Sequence, residues 1–159
     1  MANRLYSGDR FPELALKLVG GGKFHIPSSI ESKYLVAIFY RGHWCPYCRR
    51  QLAGMEKHKP ALEALGAQVV AGSADDEPHG SEVAKEVSFP VAFGMTPADA
   101  DRLGAWWGGQ RGNLQPAEFL LSRDGNTVHS LYASGPVGRM SPEDLVRQLT
   151  RMAELENRK

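Results

Sequence analysis

The chain has 159 residues, of which 42% are hydrophobic and 23% charged, and its formal net charge is +1. This length suits one domain, residues 1–159, whose core is large enough to need no stabilising disulfide or metal. The nearly neutral charge argues against nucleic acid or an anionic membrane as a partner, and no apolar stretch is long enough to cross a membrane. The first ten residues contain no apolar signal region, so we expect a cytoplasmic protein.

The first predicted elements are a hairpin, a buried strand and a long helix. Residues 14–19 and 23–26 flank three glycines and are compatible with two paired strands. The apolar run at 34–40 predicts a strand that is buried on both faces. Residues 46–65 then show helical spacing, although Pro60 is expected to kink or break that helix.

A second strand and helix are predicted next. Residues 67–74 have the composition of a buried strand, residues 75–80 that of a polar loop, and residues 81–87 that of a short helix. Strand and helix therefore alternate from residue 34 onward. This alternation predicts a parallel βαβ unit with a right-handed crossover.

The rest of the chain predicts a helix, a hairpin and a last helix. Residues 97–107 show a helical pattern and are followed by a glycine-rich loop at 108–115. Asp-Gly between the apolar segments 118–122 and 127–132 is a strong hairpin signal. Ser141 has the position of an N-cap before the final helix.

The two cysteines, Cys45 and Cys48, lie where the buried strand is predicted to meet the long helix. Cys45 should therefore be the N-cap, with its sulfur facing free backbone N–H groups and the positive end of the helix dipole. Such a position stabilises a thiolate, which is the form that attacks a disulfide or a peroxide. We expect Cys45 to be exposed and Cys48, one turn into the helix, to be more shielded.

This order of elements, with a CxxC after the first core strand, resembles the thioredoxin fold over nearly the whole chain. Residues 8–14 (GDRFPEL) and 41–49 (RGHWCPYCR) resemble the peroxiredoxin-like, AhpC/TSA-related redoxin domains, here with a CPYC motif. The resemblance implies an α/β fold in which helices flank a central mixed sheet, with an N-terminal β-hairpin extension. Residues 115–121 (QPAEFLL) resemble the cis-proline loop of thioredoxins, which implies that Pro116 is cis and packs against the sulfurs.

Three residues that activate a peroxide in peroxiredoxins are absent from their usual places. The proline and the threonine that precede the reactive cysteine are replaced by Ile38 and Gly42, and the position of the strand arginine falls on Pro116. Arg41 or Arg111 would have to fold back to replace that arginine. From the sequence alone we therefore expect slow reaction with hydrogen peroxide.

The sequence favours a thiol–disulfide oxidoreductase without a cofactor other than the redox-active disulfide of the pair. Cys45 would attack a substrate disulfide and Cys48 would resolve the mixed disulfide. Trp44 is expected to form an apolar shelf beside the pair, and Tyr47 an exposed docking point for a partner. The residues expected to bind substrate or support the pair are Trp44, Pro46, Tyr47, Pro116, Arg41 and Arg111.

Other functions use the same cysteines. In a thiol peroxidase, Cys45 would become a sulfenic acid and Cys48 would close the disulfide. Non-enzymatic alternatives are a redox-sensing or partner-binding domain and a zinc site. His43 and His58 would have to complete the zinc site, but their spacing is not typical of zinc ligands, so we predict no metal. The expected partners are a disulfide or hydroperoxide substrate and a thiol reductant such as thioredoxin or glutathione, and a homodimer is left open.

Overall fold

A computed structural model describes residues 3–158 as a mixed β-sheet with helices on both faces. The elements in chain order are β1 (Leu14–Leu18), β2 (Lys23–Ile26), β3 (Tyr34–Phe39), α1 (Pro46–Ala64), β4 (Ala67–Gly72), α2 (Glu77–Ala84), β5 (Val91–Phe93), α3 (Pro97–Leu103), β6 (Trp107–Gly108), β7 (Asn113–Leu114), β8 (Ala117–Ser122), β9 (Thr127–Tyr132) and α4 (Pro142–Asn157). None of the helices within these residues combines the length and apolar character needed to cross a membrane.

Seven strands form the main sheet in the order β2-β1-β5-β4-β3-β8-β9, and β6 pairs with β7 in a separate two-stranded sheet. Strands β3, β4 and β5 are parallel neighbours, whereas β1, β2, β8 and β9 pair antiparallel with their neighbours. The predicted mixed sheet, the parallel unit at its centre and the N-terminal hairpin are therefore confirmed.

Strand β3 lies at the centre of the fold and is buried on both faces. Leu35, Ala37 and Phe39 pack in the core that includes α3, whereas Val36 and Ile38 pack in the core that includes α1 and α4. Residues between two covered faces have to be apolar throughout, which explains the uninterrupted apolar run in the sequence. The cysteine motif follows directly after the carboxyl end of β3.

Helix α1 continues through Pro60 to Ala64, so of the kink or break predicted there, the break is wrong. Beyond the proline, Leu62 is fully buried in the same core as Leu52 and Met55. The burial of this apolar face holds the helix together across one missing backbone hydrogen bond. The helix ends at Ala64 with Leu65 as its C-cap, and Gly66 follows as the predicted C′ residue with a left-handed φ of 84°.

Helix α2 begins at Glu77, four residues earlier than predicted, so part of the expected polar loop is helical. Asp76 is the N-cap and its side chain accepts a hydrogen bond from the backbone N–H of His79, at 3.1 Å. Asp and Asn stabilise helix starts in this way. The early start brings His79 against the loop that carries the cysteines.

Helix α3 ends at Leu103, so the predicted extension to residue 107 is wrong. Gly104 terminates it with a left-handed φ of 75°. A Cβ atom at this position would come within 2.3 Å of the Asn3 carbonyl oxygen, so only glycine fits there. Trp106 and Trp107 therefore lie outside the helix, and Trp107 pairs in β6.

Candidate active site

Cys45 is the N-cap of α1, as predicted, and accepts a hydrogen bond from the Cys48 backbone N–H at 3.3 Å. Both cysteines are free thiols, and both have 0% of their surface exposed. The expectation that Cys45 is exposed is therefore wrong. Side chains from distant parts of the chain, Arg139 among them, contact that sulfur in addition to the helix start.

The guanidinium of Arg139 contacts the sulfurs of both cysteines. It lies in the loop between β9 and α4, and its side chain is only 13% exposed. Its Nη2 atom is 3.0 Å from Cys48 Sγ and 3.7 Å from Cys45 Sγ, and also donates to the Pro136 carbonyl oxygen. Its Nη1 atom donates to Gln51 Oε1 at 3.2 Å. One guanidinium thus contacts both thiols.

Arg41 approaches the same thiols from the other side. Its Nη1 atom is 3.8 Å from Cys45 Sγ, and its backbone N–H donates to Cys48 Sγ at 3.4 Å. Gln115 Oε1 accepts a hydrogen bond from Arg41 Nε at 3.1 Å. Each of the two arginines at the sulfurs is therefore held by a glutamine side chain.

These contacts shift the pKa values of the two thiols in opposite directions. Burial raises the pKa of Cys45, but hydrogen bonds from the Cys48 side chain and backbone and from Arg41, with the charge of Arg139, outweigh it and lower the pKa overall. Burial, together with the hydrogen bond to Cys45, raises the pKa of Cys48 to about 11, although the charge of Arg139 opposes this rise. The Cys45 thiol of the pair therefore ionises before the Cys48 thiol.

This difference predicts distinct alkylation profiles. In a Cys48→Ser variant, the iodoacetamide rate at Cys45 should reach half its maximum below the usual thiol range, because only the thiolate reacts. In a Cys45→Ser variant, the rate at Cys48 should still rise at pH 9, because its pKa stays high. The midpoint of each profile is compared, since burial lowers both absolute rates. A lower midpoint for Cys48 would contradict the assignment.

The Trp44 ring contacts two arginines. The guanidinium carbons of Arg41 and Arg111 lie 4.8 Å and 4.1 Å from its centroid. A Cβ atom on Gly42 would lie 2.5 Å from Trp44 Nε1, so the indole occupies the space that a threonine side chain would need. Arg111 therefore contacts the tryptophan, and the hydrogen bonds to the sulfurs come from Arg41 and Arg139.

The prediction that Pro116 is cis is wrong. Within residues 3–158 the one cis peptide bond is Ile26–Pro27. The Pro116 carbonyl oxygen accepts a hydrogen bond from the Ala133 backbone N–H at 3.0 Å, which extends the β8–β9 pairing by one residue. An extended chain at this point continues directly into β8. The residue of this segment that reaches the site is its neighbour Gln115.

An open groove of about 450 Å³ begins beside the arginine. Tyr47, Val137 and Met140 line it together with Gln51 and Arg139. Tyr47 is 43% exposed, as expected, and Val137 is 69% exposed. Pro46 is exposed at the first position of α1. The groove therefore opens beside the guanidinium that contacts the two sulfurs.

The histidines considered as zinc ligands have other contacts. His43 Nδ1 is 3.1 Å from Asp75 Oδ1, and its ring stacks on His79. His58 Nδ1 is 2.8 Å from the Gly54 carbonyl oxygen. In the part of the chain that the structure describes, no group of three or more His, Cys, Asp or Glu side chains is arranged to hold a metal ion.

Sequence reasoning missed four residues of this site: Gln51, Gln115, Glu118 and Arg139. Gln51 lies on the buried face of α1 at a position that reads as ordinary helix. Arg139 is an isolated basic residue, 94 positions after Cys45. A charged residue within the otherwise apolar start of β8 was the one available signal, and it pointed to Glu118.

Comparison with known proteins yields a family match and several similar folds. A family model described as the AhpC/TSA family matches residues 7–130. No curated protein matches the chain. Peroxidoxin BcpB from Mycobacterium tuberculosis is 16% identical, with a TM-score of 0.79 over 94% of this chain and 98% of that chain.

Two further solved structures are similar at comparable identity. AhpC from Enterococcus faecalis is 18% identical, with a TM-score of 0.80 over 96% of this chain and 95% of that chain. A reduced 2-Cys peroxiredoxin from Plasmodium vivax is 16% identical, with a TM-score of 0.81 over 96% of this chain and 84% of that chain. At such identities the likeness concerns the fold, and it confirms the thioredoxin-like architecture.

Proposed function

The chain belongs to the AhpC/TSA family and is a thiol oxidoreductase, and we propose that it acts as a thiol peroxidase through Cys45 and Cys48. The observation that carries this proposal is the convergence of Arg41 and Arg139 on a buried Cys45 sulfur. Peroxide cleavage needs preorganised donors for the charge that develops on the leaving oxygen. The absence of such donors from the usual sequence positions was the reason to favour disulfide exchange, and two guanidiniums remove that reason.

Burial of the thiols supports the same choice. A protein disulfide has to bring its sulfur into line with the attacking sulfur, and Cys45 has no exposed surface for this approach. A hydroperoxide group presents only two oxygen atoms and needs much less space. It can reach the guanidinium of Arg139 from the groove beside Tyr47.

In the proposed reaction, the Cys45 thiolate attacks the terminal oxygen of a hydroperoxide. A sulfur–oxygen bond forms, the oxygen–oxygen bond breaks, and the alkoxide leaves as an alcohol after taking a proton from solvent. Cys45 is then a sulfenic acid. The Cys48 sulfur attacks it, a disulfide forms, and water is released. The pair has supplied two electrons, which an external small-molecule thiol such as glutathione, much smaller than a protein disulfide, restores by exchange.

The two enzymatic functions make different kinetic predictions. We expect the reduced protein to react with hydrogen peroxide about 10³-fold faster than free dithiothreitol thiolate, because donors to the leaving oxygen typically supply a few kcal/mol each. We expect no comparable acceleration with a protein disulfide. Stopped-flow fluorescence with each oxidant at the same pH measures both rates. Rapid reaction with the disulfide and an unaccelerated reaction with peroxide would instead establish disulfide exchange as the activity.

A further inference from the structure

Glu118 is a buried carboxylate that the proposed reaction does not use. It lies on β8 with no exposed surface. Its Oε1 atom accepts hydrogen bonds from Gln51 Nε2 at 2.6 Å and from the Met140 backbone N–H at 2.7 Å. Its Oε2 atom has no hydrogen-bond partner and lies 4.0 Å from Arg139 Nη1. Such a carboxylate is costly to bury, so its retention beside Arg139 calls for an explanation.

We propose that Glu118 is a positioning residue that serves as the permanent counter-ion of Arg139 and lowers the reduction potential of the Cys45–Cys48 pair. When the sulfurs form a neutral disulfide, Glu118 is the anion that faces the largely buried guanidinium. When the pair is reduced, the Cys45 thiolate shares the same guanidinium. The carboxylate charge therefore opposes the second anion and disfavours the reduced state.

Among the groups around Glu118, its own carboxylate is the one whose charge changes with pH. Its cross-strand neighbours, Ile38 on β3 and Leu131 on β9, are apolar. Gln51 from α1 is neutral, and the Met140 backbone contributes an N–H. The charged group that faces it is Arg139. None of these contacting side chains would change its own charge in the pH range in which Glu118 titrates.

The carboxylate also titrates in an accessible range. Burial raises the pKa of Glu118 to about 6, although the hydrogen bonds from Met140 and Gln51 and the charge of Arg139 oppose this rise. The group is therefore ionised at pH 7.5 and protonated at pH 5. Its effect on the cysteine pair should be present at the higher pH and disappear at the lower one.

The test is the equilibrium of the protein with glutathione. The protein disulfide and two glutathione molecules give Cys45 thiolate, Cys48 thiol, glutathione disulfide and one proton. In Glu118→Gln, which keeps the side-chain shape and an acceptor for Met140, we expect the equilibrium constant for reduction at pH 7.5 to rise about tenfold. That change corresponds to a potential about 30 mV higher. At pH 5 the wild type and the variant should agree, because the side chain at position 118 is then neutral in both.

The matched control is Glu63→Gln, which removes one carboxylate from the same helix as Cys48, about 22 Å further along its axis. It should leave the equilibrium constant unchanged at both pH values. A purely structural role of Glu118 would change stability without a pH-dependent shift in potential. An unchanged equilibrium in Glu118→Gln at pH 7.5, or a shift of equal size at pH 5, would overturn the proposal.

The wild type alone provides a second measurement if Glu118→Gln does not fold. Reduction should then take up extra protons around pH 6, because the thiolate raises the pKa of Glu118 in the reduced state. The logarithm of the equilibrium constant should bend there, separately from the bend at the Cys45 pKa found by alkylation. A plot without this bend contradicts the role of Glu118.

This inference rests on the proposed Cys45–Cys48 cycle but not on which substrate oxidises the pair. If no intramolecular disulfide forms in glutathione buffers, the cycle itself fails. If the disulfide forms and its reduction potential does not depend on Glu118, only the role inferred for Glu118 is contradicted. The two outcomes are distinguished by counting free thiols in the oxidised protein.

Discussion

Replacing Arg139 with Met is expected to lower the second-order rate constant for hydrogen peroxide by about 10²- to 10³-fold. Methionine preserves most of the side-chain volume but removes both guanidinium contacts to the sulfurs, at 3.0 and 3.7 Å. The leaving oxygen then loses a charged donor, and the Cys45 thiolate loses a positive neighbour. Stopped-flow measurements should be made where alkylation shows Cys45 to be fully ionised, so that the loss reports on peroxide cleavage.

Three comparison variants define what the Arg139 result means. Arg147→Met removes an exposed arginine from α4 and should change the rate less than twofold. Arg41→Met should cost less than Arg139→Met, because it removes one long contact of 3.8 Å to a single sulfur. Arg139→Lys should recover only part of the rate, since an ammonium cannot make all the guanidinium contacts at once. If folded Arg139→Met keeps the wild-type rate, Arg139 is not a donor in this reaction.

The cysteine variants are expected to divide the reaction into its two steps. Cys45→Ser should lose peroxide consumption altogether, because Cys48 has a pKa of about 11 and remains a thiol at neutral pH. Cys48→Ser should consume one equivalent of peroxide and then stop, because its Cys45 sulfenic acid finds no second thiol. Intact-protein mass spectrometry should show the addition of one oxygen atom in that variant.

The wild type provides the reference for this pair of variants. After one equivalent of peroxide, it should contain no free thiol and no added oxygen, because the second sulfur has displaced the hydroxyl group as water. Repeated turnover by Cys48→Ser with glutathione would show that an external thiol resolves the sulfenic acid directly. Turnover by Cys45→Ser would reverse the roles assigned to the two cysteines.

Several properties of the site could be predicted because they depend on neighbouring residues in the chain. The N-cap position of Cys45 follows from a buried strand, a short loop and a proline at the start of α1. The hydrogen bond from the Cys48 backbone to Cys45 is an inherent part of a helix start. Local geometry therefore determined which thiol has the lower pKa.

The errors arose where contacts distant in sequence outweighed local pattern. Packing of Leu62 carries α1 past Pro60, and the approach of the Asn3 carbonyl to Gly104 ends α3 before the two tryptophans. The loop at Pro116 is shaped by its pairing with Ala133, which the resemblance to thioredoxin did not reveal. Periodicity describes one segment at a time and contains no information on what covers it.

The sequence by itself determined the fold class and the place of the two cysteines at a helix start, and it predicted the order of their pKa values, because backbone direction, helix capping and apolar periodicity are local properties. Only the tertiary structure decided what surrounds the pair. Arg139 reaches the sulfurs from a loop 94 residues after Cys45, Glu118 lies beside Arg139 on β8, and Arg41 approaches a Cys45 sulfur that has no exposed surface. Charges act through space, so their effect on Cys45 depends on distances of 3 to 4 Å that arise only when α1, β8 and the loop before α4 pack together.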